Sequence, residues 1–168
     1  MTRRFTLNNR LQSIIKRMFL YVRKFYGSRL ISLVVFGSVA RGTETFDSDI
    51  DILIVAKGLP KGRTKRIKEF GIVEDKMEPF LKFFQREGIN TCISAIIKSP
   101  EEANKGSPLF LDMVDDAKII FDRNKFFLTI LQRLRNKLRI LGAKRIWMGN
   151  VWYWDLKPDY KPGDTIEL

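Results

Sequence analysis

A chain of 168 residues with 45% apolar side chains is long enough for one domain with a core of its own. It contains no histidine, which excludes mechanisms built on a histidine base or a His-ligated zinc, and its one cysteine, Cys92, excludes an internal disulfide and suits a reducing compartment. The formal charge of +12 favours polyanionic partners such as RNA, DNA or nucleotides, and no run approaches the roughly 18 apolar residues of a membrane span, so a soluble cytoplasmic protein is expected.

Leu11, Ile14, Ile15, Met18, Val22 and Phe25 recur at intervals of three and four, which predicts an amphipathic helix from Asn9 to Tyr26 with Gly27 as its cap. Ile31 to Phe36 reads as a β-branched-rich strand stopped by Gly37, and Ile50 to Val55 as a second, with a polar, glycine-containing loop between them. A helix is predicted over Arg63 to Arg86, its face made by Ile67, Phe70, Val73, Met77, Phe80, Leu81 and Phe84, with a kink or break at Pro79. A third strand at Thr91 to Ile97, a short helix at Pro108 to Val114 and a fourth strand at Lys118 to Phe121 follow. The last helix, Lys125 to Leu141, turns Phe127, Leu131, Leu134, Leu138 and Leu141 inward.

The domain is thus expected to cover residues 1–146. Residues 147–168 form an extension that holds all three tryptophans, Tyr153 and Tyr160. With little periodicity of either kind, it reads as an ordered, extended segment packed back over the domain, the alternative being an exposed platform for a base or a partner protein.

The segment from Phe36 to Val55, FGSVARGTETFDSDIDILIV, carries the chemistry. Asp49 and Asp51 are two apart at the start of a strand, so both project from one face and can share a hard divalent cation such as Mg²⁺ or Mn²⁺. Gly37 has no Cβ and lets backbone approach a triphosphate closely; Ser38 offers a hydroxyl and an N–H to phosphate oxygens. Arg41 can neutralise phosphate charge and Gly42 permits the turn that follows. Positioning and charge stabilisation are most of what phosphoryl transfer asks of a protein, so so small a set can suffice.

Gly37-Ser38, ten residues, then Asp49-x-Asp51 resembles the signature of the DNA polymerase beta-like nucleotidyltransferase superfamily, and Arg41, Gly42 and Ser48 fit its minimal nucleotidyltransferase type. The order of elements over residues 9–122 is similar as well. The resemblance implies an α+β fold, a mixed sheet of about four strands flanked by helices. It also implies a site that binds a nucleoside triphosphate, ATP above others, with Mg²⁺, and transfers a nucleoside monophosphate to a protein or RNA hydroxyl with release of pyrophosphate. Gly37, Ser38 and Arg41 would bind the nucleotide, and Asp49 and Asp51 the metal, as catalytic residues. The minimal type further implies a small helical partner of the HEPN kind, in a toxin-antitoxin pair.

One part of the pattern is missing. Active members carry a third carboxylate on the following strand, and Thr91 to Ile97 has none; the vacant position falls near Ser94. Three outcomes stay open: another acid substitutes, with Glu101, Glu102 and Asp112 the nearest in sequence; Ser94 serves in a single-metal transferase; or the fold binds nucleotide, nucleic acid or a partner as an antitoxin-like module with little or no turnover.

The remaining polar features have plain readings. Asp47 is taken as turn chemistry, the cluster from Lys61 to Lys68 as a solvated helix start, and Cys92 as a small buried strand residue.

Overall fold

The computed structural model describes residues 2–149 and 151–161; the end of the predicted extension, residues 162–168, lies outside them. Four strands, β1 (Leu30–Phe36), β2 (Ile50–Ala56), β3 (Ile93–Lys98) and β4 (Lys118–Asp122), form one sheet in the order β3-β2-β1-β4. β1 runs antiparallel to both β2 and β4, whereas β2 and β3 are parallel, so the sheet is mixed as expected. The parallel pair needs a long crossover, and the 24-residue helix α3 (Arg63–Arg86) supplies it.

The two central strands are apolar almost throughout because both faces are covered. Alternation sorts their side chains. Leu33, Val35, Ile50, Ile52 and Ile54 join Leu11, Ile14, Met18 and Val22 of α1 (Thr2–Tyr26), and Phe70, Val73 and Met77 of α3, in one core layer. Val34, Phe36, Leu53 and Val55 face the other way, against Phe110, Met113, Phe127, Ile130 and Leu131. That second layer comes from the 3₁₀ turn Pro108–Asp112 and from α5 (Phe126–Ile140). Asp51 shares the parity of Leu53 and Val55, and so looks toward this second layer.

β4 is tied in at its end. Ser32, fully buried on β1, donates a 2.6 Å hydrogen bond to Asp122, whose two carboxylate oxygens also accept from the backbone N–H groups of Phe127 and Leu128 at 3.0 Å. One carboxylate thereby fixes the strand edge and the first turn of α5 together.

In four places the elements differ from the expected order. α3 is not broken at Pro79: it runs through it. An internal proline costs about 3 kcal/mol, but the residue is exposed, so water can reach the carbonyl it frees. Val73 and Met77 before it and Phe84 after it are buried, each contributing about 1.5–3 kcal/mol. The loop after β1 opens instead with a single helical turn, α2 (Gly37–Arg41), closed by Gly42 in the left-handed region. A further short helix, α4 (Pro100–Asn104), follows β3; Ser99 caps it in a reciprocal box with Glu102, with Pro100 in the first turn. Finally, the aromatic segment is a hairpin, β5 (Lys144–Met148) and β6 (Val151–Asp155), which begins three residues before the predicted boundary of the extension. Its signal was Gly149-Asn150 between runs of strand-forming residues.

Candidate active site

β1 ends in Phe36 and the chain turns at once into α2, which requires φ of +71° at Gly37. That turn lays the Gly37 backbone against β2. A Cβ added there would stand 2.3 Å from Oδ2 of Asp51, far inside van der Waals contact. Glycine is thus required twice, by its backbone conformation and by the carboxylate pressed against it.

Gly37, Ser38, Arg41 and Asp51 line one cavity of about 470 Å³, together with Phe36, Asp112 and Trp152. Ordinary ligand pockets span about 300–1,000 Å³, so a nucleotide fits by size. Burial pushes the Asp51 carboxyl above the ordinary carboxylate range. A hydrogen bond from Ser94 and the charge of Arg41 act against that rise, while the charges of Asp49 and Asp112 add to it.

Asp49 sits one residue before β2, exposed, on the rim of a neighbouring depression lined by Glu78, Lys82, Asn90 and Cys92. Its Oδ1 accepts from the Cys92 thiol at 2.9 Å and from the Cys92 backbone N–H at 3.3 Å. Cys92 is therefore exposed and not a buried strand residue. Its hydrogen bond to Asp49 is the first reason its thiol is pushed up to about 11, so at neutral pH it stays protonated and donates. The connection from α2 to β2 is held on the same side: Asn90 donates to Asp47 at 2.8 Å and to the carbonyl of Phe46, and Ile50 N–H donates to the carbonyl of Cys92. Asp47 lies in this turn network, and the cavity is lined without it.

The register of β2 and β3 pairs Asp51 with Ser94, so the position beside the Asp-x-Asp pair is filled by a hydroxyl. Of the three acids near it in sequence, two are placed elsewhere. Glu101 is exposed and hydrogen-bonded with Ser99. Glu102 pairs with both terminal nitrogens of Arg66, at 2.5 and 2.9 Å, and accepts from Ser99 N–H. Arg66 also donates to the carbonyls of Pro60 and Ile97, so it stands apart from the solvated basic run around it. Asp112 alone comes to the cavity, because the 3₁₀ turn that bears it packs on the face to which Asp51 points.

The Glu102 pair gives a stability prediction. Arg66 first, and then the Ser99 N–H, hold the Glu102 carboxyl down to about 2 from its ordinary 4.5. A depressed carboxyl contributes stability that is present above about pH 4.5 and is lost as pH falls toward 2. Because the Glu102 side chain is 42% exposed, solvent screening reduces the effect. Glu102→Gln should therefore cost about 1 kcal/mol at pH 7, with the gap from wild type closing in thermal melts between pH 4.5 and 2.

Oxygen donors in this cavity suit a hard cation. Among the described residues no group of three or more His, Cys, Asp or Glu side chains is arranged as a closed metal cage. Mg²⁺ is commonly bound by one or two carboxylates and completed by substrate phosphates and water, a mode open to Asp51 in this cavity together with Asp49 on the rim of the neighbouring depression. The like-charge repulsion between them is a second indication, since a cation would relieve it.

The nucleotidyltransferase domain family matches residues 15–90, from within α1 to just before β3. A protein of Methanocaldococcus jannaschii named "Putative protein adenylyltransferase MJ1305" is 37% identical over 131 residues, 77% of this chain and 81% of that protein. Solved structures with similarity include a toxin-antitoxin with AMP-PNP, 14% identical with a TM-score of 0.42 over 80% of this chain and 92% of that one. A mutant of the toxin-antitoxin MntA-HpeT is 15% identical, with a TM-score of 0.44 over 78% of this chain and 90% of that one.

Proposed function

Since the chain belongs to the nucleotidyltransferase domain family of the polymerase beta-like superfamily, we propose that it transfers a nucleoside monophosphate from a nucleoside triphosphate to an acceptor hydroxyl, with ATP as donor and a protein as acceptor. The observation that carries this reading is the contact between the two halves of the motif: the Gly37 backbone lies against the Asp51 carboxylate, with Ser38 and Arg41 around the same cavity. The name of the M. jannaschii relative supports adenylyl as the group transferred and protein as the acceptor.

In this reading Gly37 and Ser38 hold the triphosphate by backbone and hydroxyl contacts, and Arg41 balances its charge. Asp49 and Asp51 hold Mg²⁺, which when bound supplies charge stabilisation to the phosphates. Asp112 takes the place of the missing strand carboxylate and accepts the proton of the attacking hydroxyl. That hydroxyl oxygen forms a bond to the α-phosphorus as the bond from this phosphorus to the bridging oxygen breaks, and pyrophosphate leaves. Ser94 keeps Asp51 oriented by hydrogen bonding, with no proton to take.

A second reading, a nucleotide-binding antitoxin-like module without turnover, is favoured by Ser94 standing where a third carboxylate would. Incubation with labelled ATP, GTP, CTP or UTP and Mg²⁺ or Mn²⁺ separates the two, with candidate helical partner proteins, including the HEPN kind, and RNA as acceptors. Label transfer from ATP to protein is expected. Nucleotide binding with no transfer to any acceptor would leave the module standing in its place.

A further inference from the structure

The hairpin of β5 and β6 has two unlike faces. Its register pairs Arg145 with Trp154 and Trp147 with Trp152, which puts those four on one face, while Lys144, Ile146, Met148, Tyr153 and Asp155 belong to the other. The tryptophan-bearing face is anchored to the segment that carries Asp112. Arg145 pairs with Asp116 at 2.6 Å, and the Trp154 indole N–H donates to the carbonyl of Leu111 at 3.3 Å. These two anchors bring Trp152 to the rim of the cavity that holds Gly37, Ser38, Arg41 and Asp51.

Trp152 is also held in place. The Arg145 guanidinium lies 4.1 Å from its ring centroid and 4.9 Å from that of Trp147, and the two indoles stand 6.4 Å apart. An aromatic ring fixed in this way loses little freedom when a ligand meets it. The other lining residues are already matched to phosphate and cation by their chemistry, except Phe36, which is buried and has little surface to offer. A nucleotide whose phosphates occupy the motif has an unpartnered aromatic end, the base, and the cavity has one accessible aromatic wall.

We propose that Trp152 is the stacking surface for the nucleobase, so that the hairpin binds the base end of the nucleotide while the sheet and α2 bind its phosphates. This rests on the cavity being a nucleotide site. Stacking on an indole tolerates any base, so this wall adds affinity and orientation more than base selectivity. Trp147, its cross-strand neighbour, is 55% exposed and supports the stack from outside the cavity lining.

The test compares two probes, ATP and inorganic tripolyphosphate, each titrated with Mg²⁺ by calorimetry against the full chain. Trp152→Ala should weaken ATP about 5- to 150-fold, the range given by loss of one base–aromatic stack, and leave tripolyphosphate within about twofold. Trp152→Phe should recover most of the loss. Equal weakening of both probes would show a structural role for the indole, and unchanged ATP affinity would show no role; either overturns the proposal. Asp49→Asn with Asp51→Asn should weaken both probes, so if that pair does so while Trp152→Ala does not touch ATP, the nucleotide site stands and the wall falls. Failure of the wild type to bind either probe overturns both together.

Discussion

Asp51→Asn should lower nucleotidyl transfer by about 10³-fold or more and, in the same protein, raise the melting temperature. The first effect follows from removing one of two carboxylates that would hold the cation: such charge stabilisation is worth several kcal/mol, and each 1.36 kcal/mol is about tenfold in rate. The second follows from the surroundings of Asp51. Burial, Asp49 and Asp112 all disfavour its charge, and together they outweigh Ser94 and Arg41. A carboxyl raised in the folded state contributes stability at low pH and loses it as pH rises through the folded value, so at pH 7 the charge is a cost to the fold. Asparagine removes that cost with almost no change in volume. Because Asp51 is partly open to solvent the gain is modest, on the order of 1–3 °C, and it should vanish below about pH 4, where the wild-type carboxyl is itself protonated. A variant that loses activity but melts at or below the wild type at pH 7 would mean that the fold tolerates this charge better than its neighbours imply.

Gly37→Ala is the second substitution with a large expected effect, and it acts through geometry. A side chain at φ +71° is strained by about 1 kcal/mol or more wherever it occurs, and here the Cβ also meets Oδ2 of Asp51 at 2.3 Å. Either Asp51 swings out of the cavity or α2 shifts away from β2. Both separate the two halves of the motif, so transfer should drop by at least about 10²-fold, as a displacement of about 1 Å at a reacting centre does. Stability should fall by about 1–3 kcal/mol. The steric part can be isolated by a double-mutant cycle in urea with Asp51→Ala. If the clash is real, Gly37→Ala costs less once the carboxylate is gone, and the coupling is about 1 kcal/mol or more. Simple additivity would leave only backbone strain as the cause.

Much of this arrangement could be read from residue order, and the reasons differ by element. The two central strands are legible because both their faces are buried, which leaves nearly continuous apolar runs rich in Ile and Val at Leu30–Phe36 and Ile50–Ala56. The Gly-Ser and Asp-x-Asp spacing was legible because the constraint is local: a turn and a strand start. What the residues could not show was which acid beyond β3 would return to the cavity. Glu101, Glu102 and Asp112 lie close together in sequence, and only the packing of a 3₁₀ turn against one face of the sheet distinguishes the last from the others. Glu102 had a local signal of its own, Ser99-Pro100-Glu101-Glu102, whose capping box commits that carboxylate to the start of α4. Trp152 was visible as part of an aromatic run, but its alternation was hidden. The hairpin puts every indole on one face, but it is Arg145 and Trp154 that anchor that face to the domain while Trp147 stays 55% exposed, so the segment lacks the usual pattern of a half-buried strand.

The way the hairpin is attached has a consequence for the order in which the protein matures. A chain is made from its amino end, and the turn at Gly37, the carboxylates of β2 and the sheet around them can all come together before β5 and β6 have left the ribosome. Leu111 and Asp116, on which the hairpin hangs, are made in the interval. On the proposed reading, the phosphate end of the cavity is therefore the early half, and its tryptophan wall is the late one. On that same reading, a nascent chain passes through a stage in which it can hold a triphosphate but not grip a base, and full affinity comes only once β5 and β6 have been made.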